Sequence, residues 1–239
     1  MSTYELVRFA SAEELAGKVA ERWLSEIQAL GATSRFYGVA LSGGRIAGRF
    51  LSQAAGLAKA RNLSFEPVDC FWGDERCVPP DDAESNFRLA REVLLEPLRV
   101  PDRRIHRVRG EDPPEQAARA AGEELCRLAP RERDGLPVLD LVLLGMGEEG
   151  HVASLFPGEP EEVTTSPAVY RHVVASKPPP HRITLGYPAI AAARQVWVLA
   201  SGAGKEQALR ESLRPGGRTP LARVLELRGR TTVFTELNV

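Results

Sequence analysis

The chain has 239 residues, with 31 Lys and Arg against 32 Asp and Glu; the resulting net charge of −1 gives no polyelectrolyte signature and excludes nucleic acid as an expected partner. At 43% hydrophobic and 26% charged, its composition is that of a globular protein. No apolar run reaches the ~18 residues of a membrane span, and the N-terminus lacks a basic region followed by an apolar core, so a cytoplasmic protein without a membrane partner is expected.

Read in chain order, strand and helix patterns alternate. Tyr4 to Phe9 is an expected strand, and Ser11-Ala-Glu-Glu14 is a capping box for a helix whose Leu15, Val19, Trp23, Leu24 and Ile27 share one face, with Gly31 closing it. Phe36 to Leu41 reads as a second strand, followed by Ser42-Gly43-Gly44 and a helix carrying Ile46, Phe50, Leu51 and Leu57. Val68 to Trp72 is a third, followed by a loop over Gly73 to Asp82 and a helix over about Ser85 to Leu95.

Ile105 to Val108 and a helix near Glu115 to Leu128 lead to a central strand over 138–144. Val173 to Ala175 and Ile183 to Leu185 are expected strands before a short helix at Ala189 to Ala193. Gln195 to Ala200, the turn Ser201-Gly-Ala-Gly204, a helix over Lys205 to Leu213 and a last strand over Thr232 to Thr235 complete the chain. Strands separated by helical patterns imply a mostly parallel sheet with helices on both faces, and neither proline-rich stretch is long enough to be a flexible linker, so residues 1–239 read as a single domain.

The chemistry is concentrated in loops after strands. Gly145-Met-Gly-Glu-Glu-Gly-His151 follows the central strand, where open α/β sheets bind their ligands, and places His151 at the end of a glycine-rich turn that hands over to a helix. Gly145, Gly147 and Gly150 also spell Gly-x-Gly-x-x-Gly, but Pro157, Gly158 and Pro160 stop any helix after about one turn, and Glu148 and Glu149 would repel a pyrophosphate. A dinucleotide is therefore rejected.

Ser42, Gly43 and Gly44 offer backbone N–H groups at a helix start, an anion-binding arrangement whose plain alternative is a tight turn. Ser201 to Gly204 repeats the device, and Lys205 adds a cation where the helix dipole disfavours one. Asp74, Glu75 and Arg76 end a strand with groups suited to acid–base work and charge clamping, or to a simple ion pair stiffening the turn. Arg182, after His181, stands at the mouth of a strand and is placed to hold phosphate. His106 and His172 lack a glycine or acidic partner nearby and read as structural. Cys70, Cys77 and Cys126 contain no Cys-x-x-Cys pair, so neither a disulfide framework nor a structural zinc is expected.

Taken together and in order, Leu41 to Gly44, Trp72 to Asp82 with Ser85-Asn86, Gly145 to Gly158, His181 to Thr184 and Gly202 to Lys205 resemble the motifs of the glucosamine-6-phosphate isomerase/6-phosphogluconolactonase family over nearly the whole chain. The resemblance implies a three-layer Rossmann-like α/β fold of the sugar-phosphate isomerase type. Its lactonase motifs imply a hydrolase opening 6-phospho-D-glucono-1,5-lactone to 6-phosphogluconate in the oxidative pentose phosphate pathway. His151 would be the base, Arg76 the oxyanion or carboxylate partner and Asp74 the orienting group.

The phosphate would lie among Ser42, Gly43, Gly44, Arg182 and Lys205, with Arg45 taking part and Gly147 and Gly150 lining the substrate site. No cofactor, metal or obligate protein partner is implied. The chain departs from the family pattern at Arg45-Ile46-Ala47, at Glu149 for the usual Asp and at Val152 for the usual Thr. The alternatives are an isomerase or deaminase of the same fold, whose Phe-Asn-Glu-Pro is replaced here by Ser154-Leu-Phe-Pro157, and a sugar-phosphate sensor, for which no DNA-binding segment is visible.

Overall fold

The computed structural model of the protein describes residues 4–30, 36–130 and 135–239. In chain order its elements are β1 (Tyr4–Arg8), α1 (Ala12–Leu30), β2 (Tyr37–Leu41), α2 (Arg45–Ala60), β3 (Val68–Trp72), β4 (Asp74–Arg76) and α3 (Asn86–Ala90). A π-helical turn over Arg91–Leu95 joins α3 to α4 (Glu96–Leu98), and α5 (Pro114–Leu128) and β5 (Leu141–Gly145) follow. The chain continues through α6 (Glu161–Thr164), β6 (Tyr170–Val174), β7 (His181–Leu185), α7 (Tyr187–Ala192), β8 (Gln195–Ala200), α8 (Glu206–Leu213), α9 (Pro220–Leu227) and β9 (Thr231–Thr235).

Six strands form a parallel sheet in the order β1-β9-β8-β5-β2-β3. β2, β3 and β9 are buried at every residue, as a sheet covered on both faces requires. α1 and α2 pack together on one side, and α9 packs with α7 and α8 in a second group. The strand order reverses between β2 and β5, which makes the carboxyl ends of these two strands the expected crevice.

Ser11 caps α1 as its motif requires: its Oγ accepts from Glu14 N at 3.1 Å, while the Glu14 carboxylate reaches back to Ala10 N at 2.8 Å. Gly31 lies outside the described residues. The buried faces of α1 and α2 meet in an aromatic cluster in which Trp23 packs against Phe50 and Phe65, both at 5.4 Å between ring centroids.

The structure departs from the sequence reading at several elements. Strand β4 was not expected; it pairs with β7, and β7 with β6, in a separate antiparallel sheet. Residues 173–175 and 183–185 therefore do not join the parallel sheet. The chain leaves β3 at Gly73, whose N–H donates to Leu41 O and whose carbonyl accepts from Leu185 N, so one residue ties the two sheets together.

Ile105 to Val108 is not a strand but a single bridge from Ile105 to Cys70. The central strand begins at Leu141 because Asp140 makes two other contacts with Gly38, its N–H donating to Gly38 O at 2.9 Å and its carboxylate accepting from Gly38 N at 3.1 Å. No helix follows directly on His151, the next being α6, and α9, opened by the Thr219 cap on Ala222 N, is an additional element.

Candidate active site

The loops after β2, β3, β5 and β8 converge on a cleft of about 470 Å³. His151, Asp74, Arg76, Ser42, Gly43, Gly44, Arg45, Gly147, Arg182 and Lys205 all line it. Gly150 does not. Its φ of +79° and the 2.7 Å approach of Thr219 to any Cβ built there give it a structural reason to be glycine, so its expected place in the substrate site is corrected to a role in shaping the loop.

That loop closes on itself through Gly147 N donating to His151 O at 2.9 Å and Gly150 N donating to Gly147 O at 3.1 Å. The imidazole lies over Gly147 so closely that an added Cβ would stand 2.0 Å from Cε1. On its other side Phe156 packs at 5.0 Å between ring centroids.

Glu149 Oε2 is 3.2 Å from His151 Nδ1, at an angle too poor for a hydrogen bond, so the approach is electrostatic and Nδ1 has no hydrogen-bond partner. Burial pulls the His151 pKa below the ordinary histidine value, and Glu149 and Asp74 only partly restore it. A neutral imidazole at neutral pH follows.

Asp74 is buried and fixed at both oxygens. Ser154 Oγ donates to Oδ2 at 2.7 Å, and Asn86 Nδ2 donates to the Asp74 carbonyl at 2.8 Å and approaches Oδ1 at 3.4 Å. Asn86 also fills the space over Gly43, where a Cβ would meet its Oδ1 at 1.8 Å, so the first glycine loop and the Asp74 loop share one buried amide. The neighbouring Glu75 points away and ties the strand to α3, accepting from Arg76 N, Asn86 N and Phe87 N. Burial pushes its pKa up to about 7 against the pull of these N–H donors.

Arg76 and Arg182 stand opposite each other in the β4–β7 register. Arg182 is held by its Nε donating to Pro179 O at 3.1 Å, and burial together with Arg76 lowers its pKa. Arg76 Nη1 donates to Glu84 O at 2.6 Å, while its buried Nε has no partner. Two guanidiniums side by side in one cleft make this part of the lining strongly cationic.

The opposite wall belongs to the parallel sheet. Gly44 adopts φ +90° at the start of α2, and the first turn of that helix carries no acidic residue. Arg45 reaches across to the second loop, its Nη2 3.8 Å from a Cβ built on Gly202. Lys205 has its pKa lowered by burial and then by Arg45, against the pull of Glu148 and Glu236, so two cations converge here.

One sequence expectation changes here. Two amides of the Ser201–Gly204 turn are already taken: Glu236 Oε1 accepts from Ser201 Oγ at 2.8 Å and Gly202 N at 2.9 Å, and Glu206 accepts from Gly204 N at 3.0 Å. Ser201, Gly202 and Lys205 line the cleft. Arg182, carried by β7 opposite Arg76, lines the same cleft as Arg45 and Lys205.

Sequence reasoning missed Ser154 and Glu236 as supports, since their partners lie 80 and 35 residues away. His106 and His172 stay outside the cleft, as expected, but distant carboxylates do reach them: Asp69 and Glu124 for His106, and Glu115 for His172. Among the described residues no group of three or more His, Cys, Asp and Glu is arranged to hold a metal.

Comparison with known proteins gives the chain's family and fold. Residues 10–233 match the family model described as glucosamine-6-phosphate isomerases/6-phosphogluconolactonase. A 6-phosphogluconolactonase of Streptomyces coelicolor is 36% identical over 221 residues, covering 90% of this chain and 85% of its own, and that of Homo sapiens is 34% identical over 220 residues, covering 91% and 84%. The solved 6-phosphogluconolactonase of Trypanosoma brucei aligns with a TM-score of 0.84 at 29% identity, covering 99% of this chain and 97% of its own. A monomeric glucosamine-6-phosphate deaminase aligns with a TM-score of 0.81 at 21% identity over 97% and 96% of the two chains, a likeness of fold alone.

Proposed function

This chain belongs to the glucosamine-6-phosphate isomerase/6-phosphogluconolactonase family and is an enzyme of its lactonase branch, and on that premise we propose that it opens 6-phospho-D-glucono-1,5-lactone to 6-phosphogluconate by attack of a His151-activated water. The observation that carries the reading is that His151, Asp74, Arg76 and Arg182 line the same cleft as the Ser42–Gly44 turn, Arg45 and Lys205.

The lactone carbonyl belongs beside Arg76, and the 6-phosphate across the cleft at Gly43, Gly44, Arg45 and Lys205. With Nδ1 turned to Glu149, His151 Nε2 takes the proton of the attacking water as the C–O bond forms, and the tetrahedral oxyanion is received by the Arg76 guanidinium. Collapse breaks the bond from the carbonyl carbon to the ring oxygen, and the imidazolium returns its proton to that oxygen, leaving the hydroxy acid. Asp74, anchored by Ser154 and Asn86, steadies the cationic imidazolium of the intermediate.

The fixed charges do the work that a nucleophile or cofactor does elsewhere, because a six-membered lactone is already an activated ester. The deaminase alternative needs a second acid after the histidine. Here Phe156 packs its ring against His151.

A direct hydrolysis assay on 6-phosphogluconolactone, corrected for spontaneous opening, tests the reading. Enzymatic opening supports it; release of ammonia from glucosamine 6-phosphate without lactone opening would refute it in favour of the deaminase.

A further inference from the structure

Glu75 is the most deeply buried charged side chain among the described residues, with 2% of its surface exposed, and the chemistry proposed for the cleft does not use it. Taking a carboxylate out of water is costly, and the cost is offset only where donors surround it.

The donors come from two segments that also carry cleft residues. Oε1 accepts from Arg76 N at 2.8 Å and from Asn86 N at 2.7 Å, while Oε2 accepts from Phe87 N at 2.7 Å and Ser85 Oγ at 3.2 Å. One carboxylate thus clasps β4 to the first residues of α3. Every partner is a donor, so each oxygen has to be an acceptor.

Neighbours along a strand point to opposite faces. Asp74 and Arg76 accordingly turn into the cleft, and Glu75 between them turns to α3. Asn86, whose N–H is held by Glu75, donates through Nδ2 to the Asp74 carbonyl at 2.8 Å and itself lines the cleft. The groups assigned to the phosphate stand on other elements, Arg45 at the start of α2 and Lys205 between β8 and α8.

We propose that Glu75 is a positioning residue for the hydrolysis: through Asn86 and the backbone of Arg76 it fixes Asp74 and the Arg76 guanidinium where the reaction needs them, without touching substrate. The inference rests on the reaction assigned to the cleft. A misplacement of roughly 1 Å among reacting groups is enough to cost up to about 10² fold in rate.

Steady-state kinetics on 6-phosphogluconolactone, with thermal denaturation of each protein, test the proposal. Glu75→Gln keeps the shape but turns an amide N–H2 towards N–H donors; kcat should fall at least about tenfold while KM changes by less than about threefold. Glu75→Asp keeps the charge but draws it back from α3 by one methylene. It should show the same split, and it carries the test if the glutamine variant does not fold. His106→Asn, which breaks a buried network outside the cleft, should alter stability and leave kcat in place. Glu75 variants that behave like His106→Asn, or that raise KM with kcat held, would overturn the proposal. A wild-type protein that does not open the lactone would overturn the reaction assigned to the cleft and this inference with it, a result distinct from an active enzyme indifferent to Glu75.

Discussion

At neutral pH His151 is an uncharged imidazole, because burial lowers its pKa further than Glu149 and Asp74 raise it. The sign of the pH dependence follows. The base is active while deprotonated, so the acid limb of the kcat/KM profile should fall below the ordinary histidine value of about 6.5. Glu149→Gln removes a group that raises the His151 pKa and should shift that limb to still lower pH while slowing turnover through a weaker, less well oriented base. A limb that stays in place or moves up would show that Glu149 does not act on His151.

Gly147 makes a separate demand. Since a Cβ there would overlap the imidazole, Gly147→Ala should displace the ring and lower kcat by at least about tenfold while the protein still folds, checked by circular dichroism beside the assay.

Among the elements, α2 best separates phosphate binding from chemistry. Arg45 opens the helix where the macrodipole disfavours a cation, and it shares that space with Lys205. Arg45→Ser should raise KM several-fold, leave kcat nearly unchanged and raise the melting temperature of the free protein slightly. Lys205→Ala should raise KM for the phosphorylated lactone by roughly the 1.5 to 3 kcal/mol of a charged hydrogen bond and have little effect on unphosphorylated gluconolactone, as comparative kinetics on the two lactones would show.

The sequence makes these loops legible because each glycine turn follows an apolar strand, a pattern with a local cause. β4 is hidden for the converse reason: Asp74, Glu75 and Arg76 carry no apolar alternation, and their strand is defined by register with β7 more than 100 residues later. That pairing sets Arg182 opposite Arg76 in the lining of the cleft. Glu236 was equally invisible, since nothing near it in sequence announces that it caps the Ser201–Gly202 turn. α9 went unread although Thr219 and Pro220 carry its local signal, a threonine cap followed by proline in the first turn.

On the scale of the molecule, His106 links the outer strand β3 to α5 through Asp69 on one ring nitrogen and Glu124 on the other, each at 2.9 Å, with Arg104 also on Asp69. Burial opposes its charge, but the two carboxylates outweigh burial and raise its pKa. A histidine with a raised folded-state pKa contributes stability that is fully present below its unfolded value and is lost as pH climbs through the folded one. The melting temperature should therefore decline from slightly acidic towards alkaline pH, and His106→Asn should flatten that decline, as thermal denaturation across pH would show.

The convergence of four loops of the parallel sheet with residues of β4 and β7 on one cleft is the basis of the functional account, and His151 is its centre. The most direct test is the rate of 6-phosphogluconolactone hydrolysis by the protein and by folded His151→Ala, each corrected for spontaneous opening. The account predicts rapid hydrolysis by the former and a loss of about 10² to 10⁴ fold in the latter, the range for removing a general base. Equal rates for the two proteins would contradict it.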